Sequence, residues 1–107
     1  MTVTPPVVVS RHRGHLECDV RAVPDWDGLE KLARFLEKYY GARILQRIDG
    51  PDARRWTVQV RSVIFELHHE DPWGNVIVAP DSSSEATVQM IADDLALRLA
   101  GNAAEHD

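Results

Sequence analysis

Hydrophobic and polar residues alternate along several short stretches of the chain, which is the pattern of strands that bury one face and expose the other. The clearest are "HLECDVRAV" at 15–23 and "RWTVQVRSVIFELHHE" at 55–70. A change of register near Arg61 divides the second stretch into two tightly joined strands. "ARILQRI" at 42–48 and "NVIVAP" at 75–80 complete the predicted sheet.

Two other stretches repeat hydrophobic residues every three or four positions, which predicts amphipathic helices. In "DWDGLEKLARFLEKYYG" at 25–41 the buried stripe is Leu29, Leu32, Ala33, Leu36 and Tyr40. In "DSSSEATVQMIADDLALRLAG" at 81–101 it is Val88, Ile91, Ala92, Leu95 and Leu99. Gly41 and Gly101 are predicted to end the two helices, because glycine readily takes the left-handed conformation of a helix terminus.

The predicted order of elements is β-α-β-β-β-β-α. Two amphipathic helices and half-polar strands favour an α+β, two-layer sandwich, with both helices on one face of a mostly antiparallel sheet of four or five strands. Residues 15–101 form this single domain. Residues 1–14 are predicted to be a flexible lead-in or a short edge strand, since Pro5 and Pro6 interrupt regular pairing. Residues 102–107 are predicted to be a frayed tail.

The composition is that of an ordinary soluble domain of 107 residues, 44% hydrophobic and 27% charged. No apolar run approaches the ~20 residues of a membrane span, and the first residues lack the pattern of a secretory signal. The single cysteine, Cys18, excludes an internal disulfide and fits a reducing compartment. A cytoplasmic protein is therefore expected.

The charge is unevenly distributed. Residues 1–61 carry 11 basic and 8 acidic residues, whereas residues 62–107 carry nine acidic residues and one basic residue, Arg98. The net charge of −5 argues against nucleic-acid binding, which needs clustered basic side chains. The difference in charge between the two halves of the chain is explained either by ion pairs across the sheet or by an acidic face that attracts a basic partner.

The segment "HHEDPWGN" at 68–75 contains the most concentrated candidate chemistry. His68 and His69 point to opposite faces of a strand, so they cannot both bind one metal ion. The residues that share a face are Glu66, His68 and Glu70, and these would be the centre of a small metal-dependent or hydrolytic enzyme. A solvated, ion-paired strand face explains the same three residues, and the chain has no recognised catalytic or cofactor motif. No metal site, catalytic residue or cofactor is predicted.

Trp73 is the remaining unexplained residue, because Asp71, Pro72 and Gly74 are accounted for by a type I turn. Its side chain would either fold back over Pro72 or the sheet, or anchor a partner protein. The favoured function is a non-enzymatic protein-interaction module, of the kind found in inhibitors and antitoxins, that contacts a partner through Trp73, Asp71, Glu70, His68 and Glu66. The expected partner is a basic protein or, alternatively, a second copy of the chain.

Overall fold

The structure, a computed structural model, describes residues 5–71 and 73–105. Within this part of the chain six strands and two helices follow in the order ββαββββα. Their bounds are Val8–His12 (β1), His15–Asp19 (β2), Trp26–Tyr40 (α1), Arg43–Asp49 (β3), Ala53–Val60 (β4), Val63–Glu70 (β5), Gly74–Val78 (β6) and Ser82–Glu105 (α2). The strands form one antiparallel sheet in the spatial order β1-β2-β6-β5-β4-β3.

The predicted α+β arrangement is confirmed, but the sheet has six strands rather than four or five. The additional strand is β1, which pairs with β2 at the edge of the sheet. Arg13 and Gly14 connect the two strands with φ angles of 52° and 82°. A two-residue hairpin turn with positive φ at both positions matches the natural twist of the strands. The prolines precede this strand and do not interrupt it.

One face of the sheet and the inner sides of the helices form the hydrophobic core. The alternation predicted for β4 is confirmed, since Trp56, Val58 and Val60 are all buried. Phe65 and Leu67 of β5 bury their side chains on the same face. The helix stripes predicted from the sequence pack against them, and Gly41 ends α1 in the left-handed conformation with a φ of 64°.

The second helix is longer than predicted. It continues through Gly101 to Glu105, so the prediction that Gly101 ends it is wrong. A glycine inside a helix costs only about 1 kcal/mol, and the following "AAE" has high helix propensity. In the part of the chain that the structure describes, neither helix has the length and apolar character needed to cross a bilayer.

Candidate functional site

Trp73 lies on the connection between β5 and β6 and is 75% exposed. The side chain is therefore not packed against the described residues of its own domain. The predicted type I turn includes Pro72, which lies outside the described residues. Gly74 follows the tryptophan with a φ of +100°, a conformation that favours glycine, and it pairs with Glu70 to close the hairpin.

The base of this hairpin is a buried polar pair that the sequence analysis missed. His69 and Asn75 are cross-strand partners on the helix-facing side of the sheet, and their side chains are 1% and 0% exposed. His69 Nδ1 lies 2.7 Å from Asn75 Oδ1. A signal was present in the sequence. His69 lies two and four residues after Leu67 and Phe65 on the same strand, so its side chain had to face the core and needed a polar partner there.

Asn75 connects the hairpin to the segment that precedes α1. Its Nδ2 donates hydrogen bonds to the backbone oxygens of Val23 and Asp25, at 2.5 and 3.0 Å. These two bonds fix the orientation of the amide, which leaves Oδ1 as an acceptor towards His69. His69 Nδ1 therefore carries a hydrogen. The rings of Trp26 and His69 pack in a T-shaped arrangement, with centroids 5.3 Å apart.

Three exposed acidic residues lie in the same part of the molecule as Trp73. Glu70 and Asp71 precede it, and Asp52 lies next to them because the Asp71 N–H donates to the Asp52 carbonyl oxygen at 3.1 Å. We call the group of Asp52, Glu70, Asp71 and Trp73 the acidic tip. The nearby Arg54, which lines a concavity together with Glu70, stacks 3.9 Å from the Trp26 ring and pairs with Asp49, whose Oδ1 lies 3.5 Å from its Nε.

Glu66 and His68 lie on the open face of the sheet, where His68 lines the same concavity as Glu70 of the acidic tip and Arg54. Glu66 Oε1 is 2.7 Å from His68 Nε2 and accepts a hydrogen bond from Arg55 Nε at 3.1 Å. Burial raises the pKa of the Glu66 carboxyl, but the hydrogen bonds from His68 and Arg55 outweigh this effect, so that its pKa lies below the ordinary range. The prediction of an ion-paired strand face describes this arrangement.

A shallow concavity of about 320 Å³ covers the same face. Its polar lining consists of His12, Arg13, His15, Glu17, Arg55, Glu66 and His68. The hairpin of β1 and β2 supplies the first four of these side chains, and Glu70 is not among the lining residues. Within the described residues, no three histidine, cysteine or acidic side chains are placed to hold one metal ion.

Cys18 is completely buried on the helix-facing side of β2. Burial is the main cause that raises the pKa of its thiol, to about 12, and the neighbouring charges of Asp19 and Asp93 act in the same direction. A thiol in this environment stays protonated near neutral pH, and thiolate is the nucleophilic form. Its position is that of a small buried apolar residue.

All five residues predicted to form one contact surface lie on β5 or on the connection that follows it. Glu70, Asp71 and Trp73 lie together at the acidic tip, whereas Glu66 and His68 belong to the concavity on the open face. Comparison with models of known protein families, with curated proteins and with solved structures finds no match to this chain.

Proposed function

We propose that this protein is a non-enzymatic interaction module that binds a partner protein through its acidic tip. The observation that carries the proposal is the 75% exposure of Trp73 at the end of a hairpin. Tryptophan is the residue type most enriched among the energetically dominant residues of protein interfaces. Its large apolar surface gives no stability to its own domain in this position, but burial in a partner would remove that surface from water.

The support beneath Trp73 favours binding. The connection that carries it is only three residues long, and the pair of His69 and Asn75 holds the two strands together at its base. Asn75 also fixes the hairpin to the start of α1 through two backbone oxygens. A contact residue on a rigid support loses less conformational entropy on binding than one on a flexible loop.

The charge of the acidic tip indicates the chemistry of the partner. Three exposed acidic residues lie in the same part of the molecule as the tryptophan, so the complementary surface is an apolar pocket with a basic rim. Charge complementarity of this kind accelerates association, and inhibitors and antitoxins that neutralise basic proteins use it. The cytoplasm is the proposed compartment, supported by the single free and buried cysteine.

The proposal is tested by capture with purified wild-type protein and three variants as bait. Trp73→Ala and Glu70→Lys are expected to lose the partner that the wild type retains, while their unfolding free energies change by less than about 0.5 kcal/mol. Glu70 is the better position for charge reversal, because Asp71 also faces the buried His69 Nε2 at 3.1 Å. Leu97→Ala is the matched control, since Leu97 is equally exposed but lies on α2. Retention of the partner by Trp73→Ala at full affinity would overturn the proposal.

A further inference from the structure

The domain has a groove at the end opposite the acidic tip. The groove has a volume of about 530 Å³ and lies between the end of α1, the first turns of α2 and the hairpin that joins β4 to β5. Its apolar lining consists of Tyr39, Tyr40, Val60, Val63, Ala86 and Met90. Tyr39 and Met90 are each 49% exposed, so the groove presents large apolar surfaces to solvent.

Basic side chains surround this groove. Arg61 is part of its lining. The Lys38 ammonium lies 5.2 Å from the centre of the Tyr39 ring, and the Arg98 guanidinium lies 4.1 Å from it. The adjacent acid, Asp94, already accepts hydrogen bonds from Tyr40 and Arg98. Because Arg98 and Asp94 offset each other, the basic character of the rim comes from Arg61 and Lys38, around an apolar floor.

A single molecule cannot place its own Trp73 in this groove. The hairpin at Arg61 and Ser62 precedes β5 and the Trp73 hairpin follows it, so the eight-residue strand separates the two features. Eight residues of strand span about 25 Å. Any contact between the acidic tip and the groove is a contact between two molecules.

We propose that the groove receives Trp73 from a second copy of the chain, so that molecules associate head to tail. The inference rests on the proposed function, because it names the partner of the same acidic tip. The apolar side chain enters the apolar groove, and the carboxylates of the acidic tip face Arg61 and Lys38. Such an interface joins two different surfaces, so each molecule keeps one free tip and one free groove, and repetition gives a chain or a closed ring.

Complementary variants distinguish this arrangement from other modes of self-association. Trp73→Ala removes the inserted side chain and keeps the groove, whereas Met90→Asp places a charge in the groove and keeps the tip. Sedimentation velocity at increasing concentration is expected to show oligomers for the wild type and monomers for each variant. Loss of a central tryptophan weakens such an interface by at least about 30-fold, equivalent to about 2 kcal/mol.

An equimolar mixture of the two variants is the decisive sample. The Met90→Asp molecule supplies an intact tip and the Trp73→Ala molecule an intact groove. The mixture is therefore expected to form a dimer of twice the 12.1 kDa chain mass and to grow no further. Leu97→Asp, on the same helix but not in the groove lining, is expected to associate like the wild type. Ala86→Asp repeats the test at a second groove position if Met90→Asp proves unstable in urea denaturation.

Two results would overturn the inference: a wild type that stays monomeric, and oligomers that survive both variants. Its failure is separable from failure of the proposed function. If the wild type is monomeric but Trp73→Ala still loses a captured partner that Met90→Asp retains, the acidic tip binds another protein and the groove is not its receptor. Loss of that partner by Met90→Asp from a monomeric protein would equally exclude the second copy, because the groove would then serve a different ligand.

Discussion

His69 Nδ1 lies 2.7 Å from Asn75 Oδ1, inside the core and directly beneath the connection that carries Trp73. Each residue would be costly in this position alone, because a buried polar group without a partner loses its hydrogen bonds to water. Together with the oxygens of Val23 and Asp25 they form a connected group. The hairpin that exposes Trp73 is thus supported at its base by a fully buried polar contact.

Removal of the Asn75 amide should destabilise the whole domain. Asn75→Ala leaves His69 Nδ1 and the Val23 carbonyl oxygen without the partner they have in Asn75, whereas the Asp25 oxygen still accepts from the Gly28 N–H. Each buried unsatisfied group costs about 1–3 kcal/mol. We expect the unfolding free energy, measured in urea, to fall by more than about 2 kcal/mol. Gln89→Ala is the control, because Gln89 bonds Asp93 on the exposed side of α2. Equal stability of the two variants would contradict the structural role of Asn75.

Gly28 is expected to resist replacement by a better helix former. Alanine is favoured over glycine in a helix by about 1 kcal/mol. A Cβ atom at position 28, however, would lie 2.6 Å from the Val23 side chain and 2.7 Å from Asn75 Nδ2. Gly28→Ala should therefore lower the melting temperature despite the higher helix propensity of alanine. Arg34→Ala, on the exposed side of the same helix, should change it little, and a stabilised Gly28→Ala variant would show that Asn75 is not held at this distance.

The sequence predicted those parts of the fold that depend on periodicity. Alternation in β4 and β5 identified the buried face correctly, and the three- and four-residue spacing identified both helices, because these patterns are set by local backbone geometry. The same reasoning placed His68 and His69 on opposite faces. It did not give the number of strands, since β1 is an exposed edge strand in which only Val8 and Val9 are partly buried.

The supporting contacts of the candidate site depend on residues that are distant in the sequence. Asn75 bonds oxygens about fifty positions earlier, and Asp71 meets Asp52 of another loop. No periodic pattern encodes such contacts. The concavity beside Glu66 and His68 is likewise completed by the β1–β2 hairpin, which lies far from them in the sequence.

Glu66 should contribute to stability only in its ionised form. Its folded pKa is below the ordinary value of 4.5, so the unfolded state binds the proton more readily. The contribution is therefore present above about pH 4.5 and is lost as the pH falls through the folded pKa. The stability difference between wild type and Glu66→Gln, from urea denaturation, is expected to shrink as the solution is acidified. Parallel curves of stability against pH for the wild type and Glu66→Gln would refute the ion pair.

Cys18 should make the wild type sensitive to alkali. Its pKa is about 12 in the folded protein against an ordinary value of 9.0, so between these values the unfolded state releases a proton that the folded state retains. Stability is then lost as the pH rises, by up to about 1.4 kcal/mol per pH unit. We expect Cys18→Ala to lose less stability than the wild type between pH 9 and pH 11 in urea denaturation. Tyr40, whose pKa is also raised by burial and by its bond to Asp94, is present in both proteins and cancels in the difference. If the two proteins lost stability equally over this interval, the thiol would not be held protonated by the fold.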